Sequence, residues 1–258
     1  MTILTVDVGN TNIAFGIHDG SDWVEHWRLR TESEKTADEY LVLFHNLLEF
    51  SGHSDTRLDR TVVSSVVPAL TPAITGVTER LTGQPPLIVS HTLTTGLDPA
   101  TPIPGELGND LLANAVAAYH IYRRAAIVVD FGTALTFTAV SGDGRILGVS
   151  IAPGLRSAVG ALSTNTAQLP MVDLSPPPSA LARTTVHSIQ SGIVFGYVGL
   201  VKEVTQRMAA EMDQTPHIIA TGGLAGTFAP LAACFDEVDQ WLTLEGLRIL
   251  GELNTASA

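Results

Sequence analysis

The chain has one cysteine, Cys234, and two lysines, Lys35 and Lys202. A single thiol excludes an intrachain disulfide and a zinc site built on paired cysteines. With so little lysine, a basic patch could come only from arginine. The formal net charge of −12 argues against a partner gripped by its nucleic-acid phosphates. No apolar run approaches the roughly 18–20 residues of a membrane-spanning helix. The N-terminus enters a strand directly, without a basic stretch and a signal-like apolar run. A soluble, cytoplasmic chain is therefore expected. Several catalytic signatures are missing as well. There is no GxxxxGK[ST] loop, no GxGxxG behind the first strand, no HExxH and no GxSxG. The eight histidines are scattered, with no pair four apart, and read as surface or core residues.

What is present is a repeat. Residues 4–20 read LTVDVGNTNIAFGIHDG and residues 127–144 read IVVDFGTALTFTAVSGDG. In each, an apolar run delivers an aspartate, Asp7 or Asp130. A glycine and a threonine follow (Gly9, Thr11; Gly132, Thr133), then a second apolar run, then an Asp-Gly turn. This is the pattern of a β-hairpin. Two such hairpins with an acid at each tip predict two similar half-domains facing one another. The natural occupant of the cleft between them is a nucleotide phosphate chain with its metal.

The rest of the chain alternates. Strands are expected near 23–30, 61–67 and 86–90, then 145–151, 217–221 and 238–241. Helices are expected behind the Thr36/Glu39 capping box, from Pro68 to about Leu81, over 109–124, within 153–170, from about Thr185 to 212, and over 244–254. Residues 91–108 read as a turn-rich loop and 173–183 as an exposed connection. The class is α/β with mixed sheets. The expected division is 1–111 for phosphate and metal, and 112–258 for nucleotide, cation and substrate.

Gly9 permits a tight turn and close backbone approach. Exposed N–H groups there, with Asn10, Thr11 and Asn12, suit phosphate oxygens, and Asp7 could hold Mg²⁺ through water. Asp130 and Thr133 form the second copy. Gly222-Gly223 follows the strand Ile218–Ala220 and would let a flat ligand lie on the backbone. Gly108-Asn109-Asp110 opens a helix, where the helix field is expected to lower the pKa of Asp110.

The order of motifs is more specific than any one of them. Duplicated hairpins with a late GG turn resemble the ribonuclease H-like actin–hexokinase–Hsp70 fold. DVGNTN at 7–12, WRLRT at 27–31, GND at 108–110, DFGTALT at 130–136 and APG at 152–154 come in the order seen in type III pantothenate kinases. TVHSIQSG at 185–192, ATGGLA at 220–225 and LTLEGLRIL at 242–250 complete the series. The chain is identified as resembling that family over nearly its whole length.

The resemblance implies ATP-dependent phosphorylation of pantothenate at its primary hydroxyl, the first step of coenzyme A synthesis. It implies that ATP lies along Asp7, Val8, Gly9, Asn10, Thr11, Asn12, Ile13 and Ala14 and touches Thr133, with Gly222 and Gly223 at the nucleotide. Pantothenate would meet Gly108, Asn109, Asp110, Leu111 and Thr185. Asp110 would be the general base. Asp130 would help hold a monovalent cation, K⁺ or NH₄⁺, and Asp7 would serve Mg²⁺. A homodimer is implied. Leu111 stands where many members carry arginine, and Arg28, Arg156 or Arg183 could supply that charge. Thr184 stands where asparagine is common. Two other readings are another small-molecule kinase of the fold and a catalytically inactive nucleotide-binding regulator. The three retained aspartates argue against the second.

Overall fold

The computed structural model describes residues 1–98, 107–166 and 168–255. Residues 99–106 of the expected loop at 91–108, and Ala167 of the expected helical stretch at 153–170, lie outside the described residues. The chain forms two compact units, Met1–His120 with Leu242–Ala258, and Ile121–Trp241.

In the first unit, β1 (Ile3–Val8), β2 (Asn12–His18) and β3 (Trp23–Arg30) form an antiparallel meander. Then follow α1 (Ala37–Phe50), β4 (Arg60–Ser65), α2 (Thr71–Thr82), β5 (Leu87–Ile88) and α3 (Asn109–Tyr122). β4 lies parallel to β1, giving the sheet order β3-β2-β1-β4-β5. In the second unit, β6 (Ala126–Phe131), β7 (Ala134–Val140) and β8 (Ile146–Pro153) repeat the meander. Next come α4 (Leu155–Asn165), α5 (Thr185–Gln190), a π-helical turn (Ser191–Phe195) and α6 (Gly196–Ala210). The unit ends with β9 (His217–Thr221), α7 (Ala225–Ala232) and β10 (Glu237–Val238). Its sheet order, β10-β9-β6-β7-β8, matches the first sheet strand for strand. α8 (Leu242–Leu253) then returns to the first unit. No helix among the described residues is long and apolar enough to cross a membrane.

Alternation along the strands decides what faces the core. Leu4, Val6 and Val8 of β1 join Phe15, Phe44 and Val63 in one apolar cluster. Phe15 stacks on Phe44 with ring centres 4.1 Å apart and on Trp27 at 5.0 Å. Asp7 is therefore on the other face of the sheet. In the second unit Ile127, Val129 and Phe131 point into a cluster with Phe137, Ala220 and Phe228, which puts Asp130 on the opposite face too. The capping box forms as expected, with the Thr36 hydroxyl accepting from the Glu39 N–H and the Glu39 carboxylate accepting from the Thr36 N–H.

The expected boundary after residue 111 falls inside α3, and the compact units divide elsewhere. α3 is one continuous helix, and it belongs with the first unit as far as His120. α8 joins it there because Gly246 lies directly on the Ala113 backbone, where a Cβ would come within 2.5 Å of the Ala113 carbonyl carbon. A return of the last helix to the first sheet leaves no mark in residue order.

Candidate active site

The first hairpin tip is a braced turn. The Gly9 N–H donates to the Asn12 carbonyl at 3.0 Å. Thr31, the last residue of WRLRT, holds the turn from the side. Its hydroxyl donates to the Gly9 carbonyl at 2.6 Å, and its N–H to the Thr11 carbonyl at 2.9 Å. Asn10, Thr11 and Asn12 are exposed, while Val8 and Ile13 are fully buried. Within the expected ATP stretch, Val8 and Ile13 fix the turn, Asn10, Thr11 and Asn12 face outward, and Asp7 is half-buried.

Asp110 sits in the first turn of α3. The Leu112 N–H donates to the Gly108 carbonyl at 3.0 Å, so the helix starts from Gly108. The Leu111 N–H donates to Asp110 Oδ1 at 2.9 Å. A Cβ on Gly108 would collide with the Asp110 carboxylate and lie 3.9 Å from Val66 Cγ1. Val66 in turn donates its N–H to the Val8 carbonyl at 3.0 Å. These contacts bring Asp110 to the ends of β1 and β4, beside the Asp7 turn. Ligands of open α/β sheets bind outside the carboxyl ends of parallel strands. The lowered pKa expected for Asp110 is corrected by the structure. Burial pushes its carboxyl above the ordinary range, and it outweighs the donors from Leu111 and from Asp110's own N–H. A helix N-terminus favours the carboxylate, but desolvation in a half-buried crevice costs it more.

The second tip is tighter. A Cβ on Gly222, which has φ of +90°, would collide with Asp130 Oδ1 and lie 2.9 Å from the Phe131 N and C. A Cβ on Gly132 would lie 3.4 Å from the same carboxylate oxygen. Gly154 of the APG motif donates its N–H to the Thr133 carbonyl at 3.1 Å, and a Cβ there would strike that carbonyl. The Ser157 hydroxyl donates to the same oxygen at 3.0 Å. Asp130, Thr133 and Gly222 thus converge, with exposed Gly223 next in line. Thr185 is exposed at the start of α5, capped by Thr184, whose hydroxyl accepts the His187 N–H at 3.2 Å. The π-helical turn follows directly, a local insertion that recurs at functional sites.

Among the described residues no group of three or more His, Cys, Asp or Glu is arranged to hold a metal ion. A cation at either tip would therefore rest on one carboxylate together with backbone, hydroxyl, water and phosphate oxygens, a donor set that suits hard cations. Spare oxygens are present. Ser64 stands in register beside Asp7 and Thr221 beside Asp130, both fully buried, and neither hydroxyl has a hydrogen-bond partner. The residues at both tips fit the cations implied by the motifs.

Comparison with known proteins shows the family. The family model for type III pantothenate kinase matches residues 3–207. The type III pantothenate kinase of Geotalea daltonii is 45% identical over 99% of this chain and 100% of its own. That of Geobacter sulfurreducens is 46% identical over 98% and 99%. The chain belongs to the type III pantothenate kinase family. The family's activity is the kinase reaction that the ordered motifs imply. Among solved structures, the activator of 2-hydroxyisocaproyl-CoA dehydratase from Clostridium difficile with bound ADPNP has a TM-score of 0.52 at 13% identity, covering 100% of both chains. That likeness shows the fold, two half-domains of the actin–hexokinase–Hsp70 type.

Against the family pattern, Leu111 is 6% exposed and contributes its N–H, not a charge. Of the three arginines that could replace a missing charge, Arg156 sits in the first turn of α4, next to Ser157 and the Thr133 turn. Thr31, Ser64, Ser157 and Thr221 were not singled out as site residues from sequence. Thr31 and Thr221 had a signal, since each lies inside a quoted motif. Ser64 and Ser157 had none.

Proposed function

We propose that this chain transfers the γ-phosphoryl group of ATP to the primary hydroxyl of pantothenate, with Asp110 as general base. The placement of Asp110 carries the reading. Its carboxylate is half-buried beside the strand end that bears Asp7, oriented by the Leu111 N–H, and raised in pKa by burial. A base tuned upward accepts a hydroxyl proton better than an ordinary carboxylate.

The remaining roles follow the family. The turn Asp7–Ala14 binds the phosphate chain with exposed N–H groups and the side chains of Asn10, Thr11 and Asn12. Asp7 holds Mg²⁺ through water. Thr133, Gly222 and Gly223 serve the nucleotide, and Gly108, Asn109, Leu111 and Thr185 serve pantothenate. Asp130 holds K⁺ or NH₄⁺, whose positive charge would offset that of the phosphates. The acting species is a homodimer in the cytoplasm. Phosphoryl transfer depends mostly on positioning and charge neutralisation, so a chain with two lysines can do it with cations, backbone and arginine.

The test is ADP formation from Mg·ATP with and without pantothenate, in K⁺ and in Na⁺, for the wild type and Asp110→Asn. We expect pantothenate-dependent turnover in K⁺ and a loss of about 10²–10⁴ in kcat for the variant, with ATP binding retained. Near-normal kcat in Asp110→Asn would remove the assignment. ATP binding without turnover on any acceptor would favour the regulatory reading.

A further inference from the structure

We propose that Ser64 and Thr221 are a matched pair of positioning residues, each hydroxyl donating to the neighbouring tip carboxylate once nucleotide and cation are bound. The inference rests on the roles proposed above for Asp7 and Asp130. Parallel strands in register put paired residues on the same face of the sheet. Ser64 is the register partner of Asp7, and Thr221 that of Asp130. Both are 0% exposed and both hydroxyls lack a hydrogen-bond partner. A buried hydroxyl is costly to leave unpaired. Two of them occur at equivalent places in the two sheets, each beside an acid. Other unpartnered buried hydroxyls do not share this placement. Thr61 pairs in register with Leu4, and Thr205 lies in α6. A serine or threonine hydroxyl can donate one proton, and a donor behind a ligating carboxylate fixes its rotamer and tunes its affinity.

The geometry predicts a crossed pattern. Thr221→Val should raise the K⁺ concentration for half-maximal activation at least tenfold and leave the KM for Mg·ATP within twofold. Ser64→Ala should do the reverse. Thermal shift without turnover reads the same split: Thr221→Val loses the Tm gain from K⁺, and Ser64→Ala loses that from Mg·AMPPNP. Both ligand-free variants should melt at or above the wild-type temperature, because only an unpaired hydroxyl is removed. Thr221→Ser should restore K⁺ activation, and Thr205→Val should leave the K⁺ and Mg·AMPPNP responses unchanged. Ligand responses equal to wild type in both variants would overturn the inference. So would a fall in ligand-free Tm, or a Thr221→Ser protein that behaves like Thr221→Val. A wild type that turns over equally in Na⁺ would sink the cation role of Asp130, and the Thr221 half with it. No turnover at all, with AMPPNP and K⁺ shifts present in the wild type and lost in the crossed pattern in the two variants, would instead fail the catalytic reading while supporting the pair.

Discussion

At the first tip, β4 leaves its register with Asp7 through Ser65, Val66 and Val67, whereas at the second tip β9 leaves Asp130 through Gly222 and Gly223. The first exit is closed by side chains. Ser65 Oγ accepts from the Val67 N–H at 3.2 Å and from the Thr71 hydroxyl at 2.9 Å, leading into α2. The second exit has no Cβ, and its backbone comes down onto the aspartate. The exposed polar groups of the first tip therefore come from the hairpin turn itself, Asn10, Thr11 and Asn12. Those of the second come from the convergence of a hairpin, a glycine exit and the start of α4. On the roles proposed above, one duplicated topology serves two jobs: cradling phosphate, and admitting a flat group beside a cation.

The strongest way to break this contrast is Gly222→Ala. The new methyl has to enter a left-handed backbone position and the space held by Asp130 and Phe131. A left-handed conformation costs an L-residue roughly 1–2 kcal/mol, and overpacking adds about 1–3 kcal/mol. We expect a loss of about 2–5 kcal/mol in unfolding free energy, and loss of nucleotide binding by titration. Gly9→Ala is the matched change at the first tip. Its methyl meets only the Asn12 carbonyl, at 3.1 Å, with no positive φ. About 1 kcal/mol is expected there. Equal effects at the two tips in chemical denaturation would refute the contrast.

Asp110→Asn sharpens it from another side, through pH. The folded pKa of Asp110 lies above its unfolded value because of burial. Below both values the group is protonated in both states and costs nothing. As pH rises through the unfolded and then the folded pKa, holding a buried carboxylate costs stability, and the cost is fully present above the folded pKa. The asparagine variant should therefore melt higher than wild type at neutral pH, with the gap closing as pH falls through that window. The same pKa should mark the acid limb of kcat/KM in the wild type. A gap that widens on acidification would contradict the raised pKa.

Thr31→Val removes the hydroxyl bond to Gly9 and keeps the backbone bond to Thr11. The expected cost is about 1 kcal/mol, with a several-fold higher KM for ATP and little change in the response to K⁺. A change in K⁺ response instead would mean that the two tips are not separable.

Most of this architecture was legible because its signals are local. Period-two alternation, Asp-Gly turns and the Thr36/Glu39 box placed the strands and α1 nearly where they are. Gly20 and Gly144 do adopt positive φ, at +105° and +87°, in the two Asp-Gly turns. The illegible parts are set by distant contacts. That α8 returns to the first sheet depends on Gly246 meeting Ala113 and on the Arg60 guanidinium reaching the Gly251 and Asn254 carbonyls at 3.0 and 2.8 Å. The pKa of Asp110 depends on burial, which a capping motif does not report. Ser64 is one hydroxyl in an apolar run, and only register with Asp7 gives it meaning.

Arg156 is where the sequence departure and the two-tip contrast meet. Leu111 is buried, so any charge lost at that position has to come from another residue. Arg156 is exposed in the first turn of α4, one residue before the serine that holds the Thr133 carbonyl. A cation held by that turn would face phosphate oxygens carried by the nucleotide, not the acceptor alcohol. Arg156→Ala should then raise the KM for ATP a few-fold, with the KM for pantothenate unchanged, while Arg28→Ala and Arg183→Ala leave both near wild type. A rise confined to the KM for pantothenate would place the substituted charge on the acceptor instead, and the second tip would then serve the acceptor as well as the nucleotide and cation.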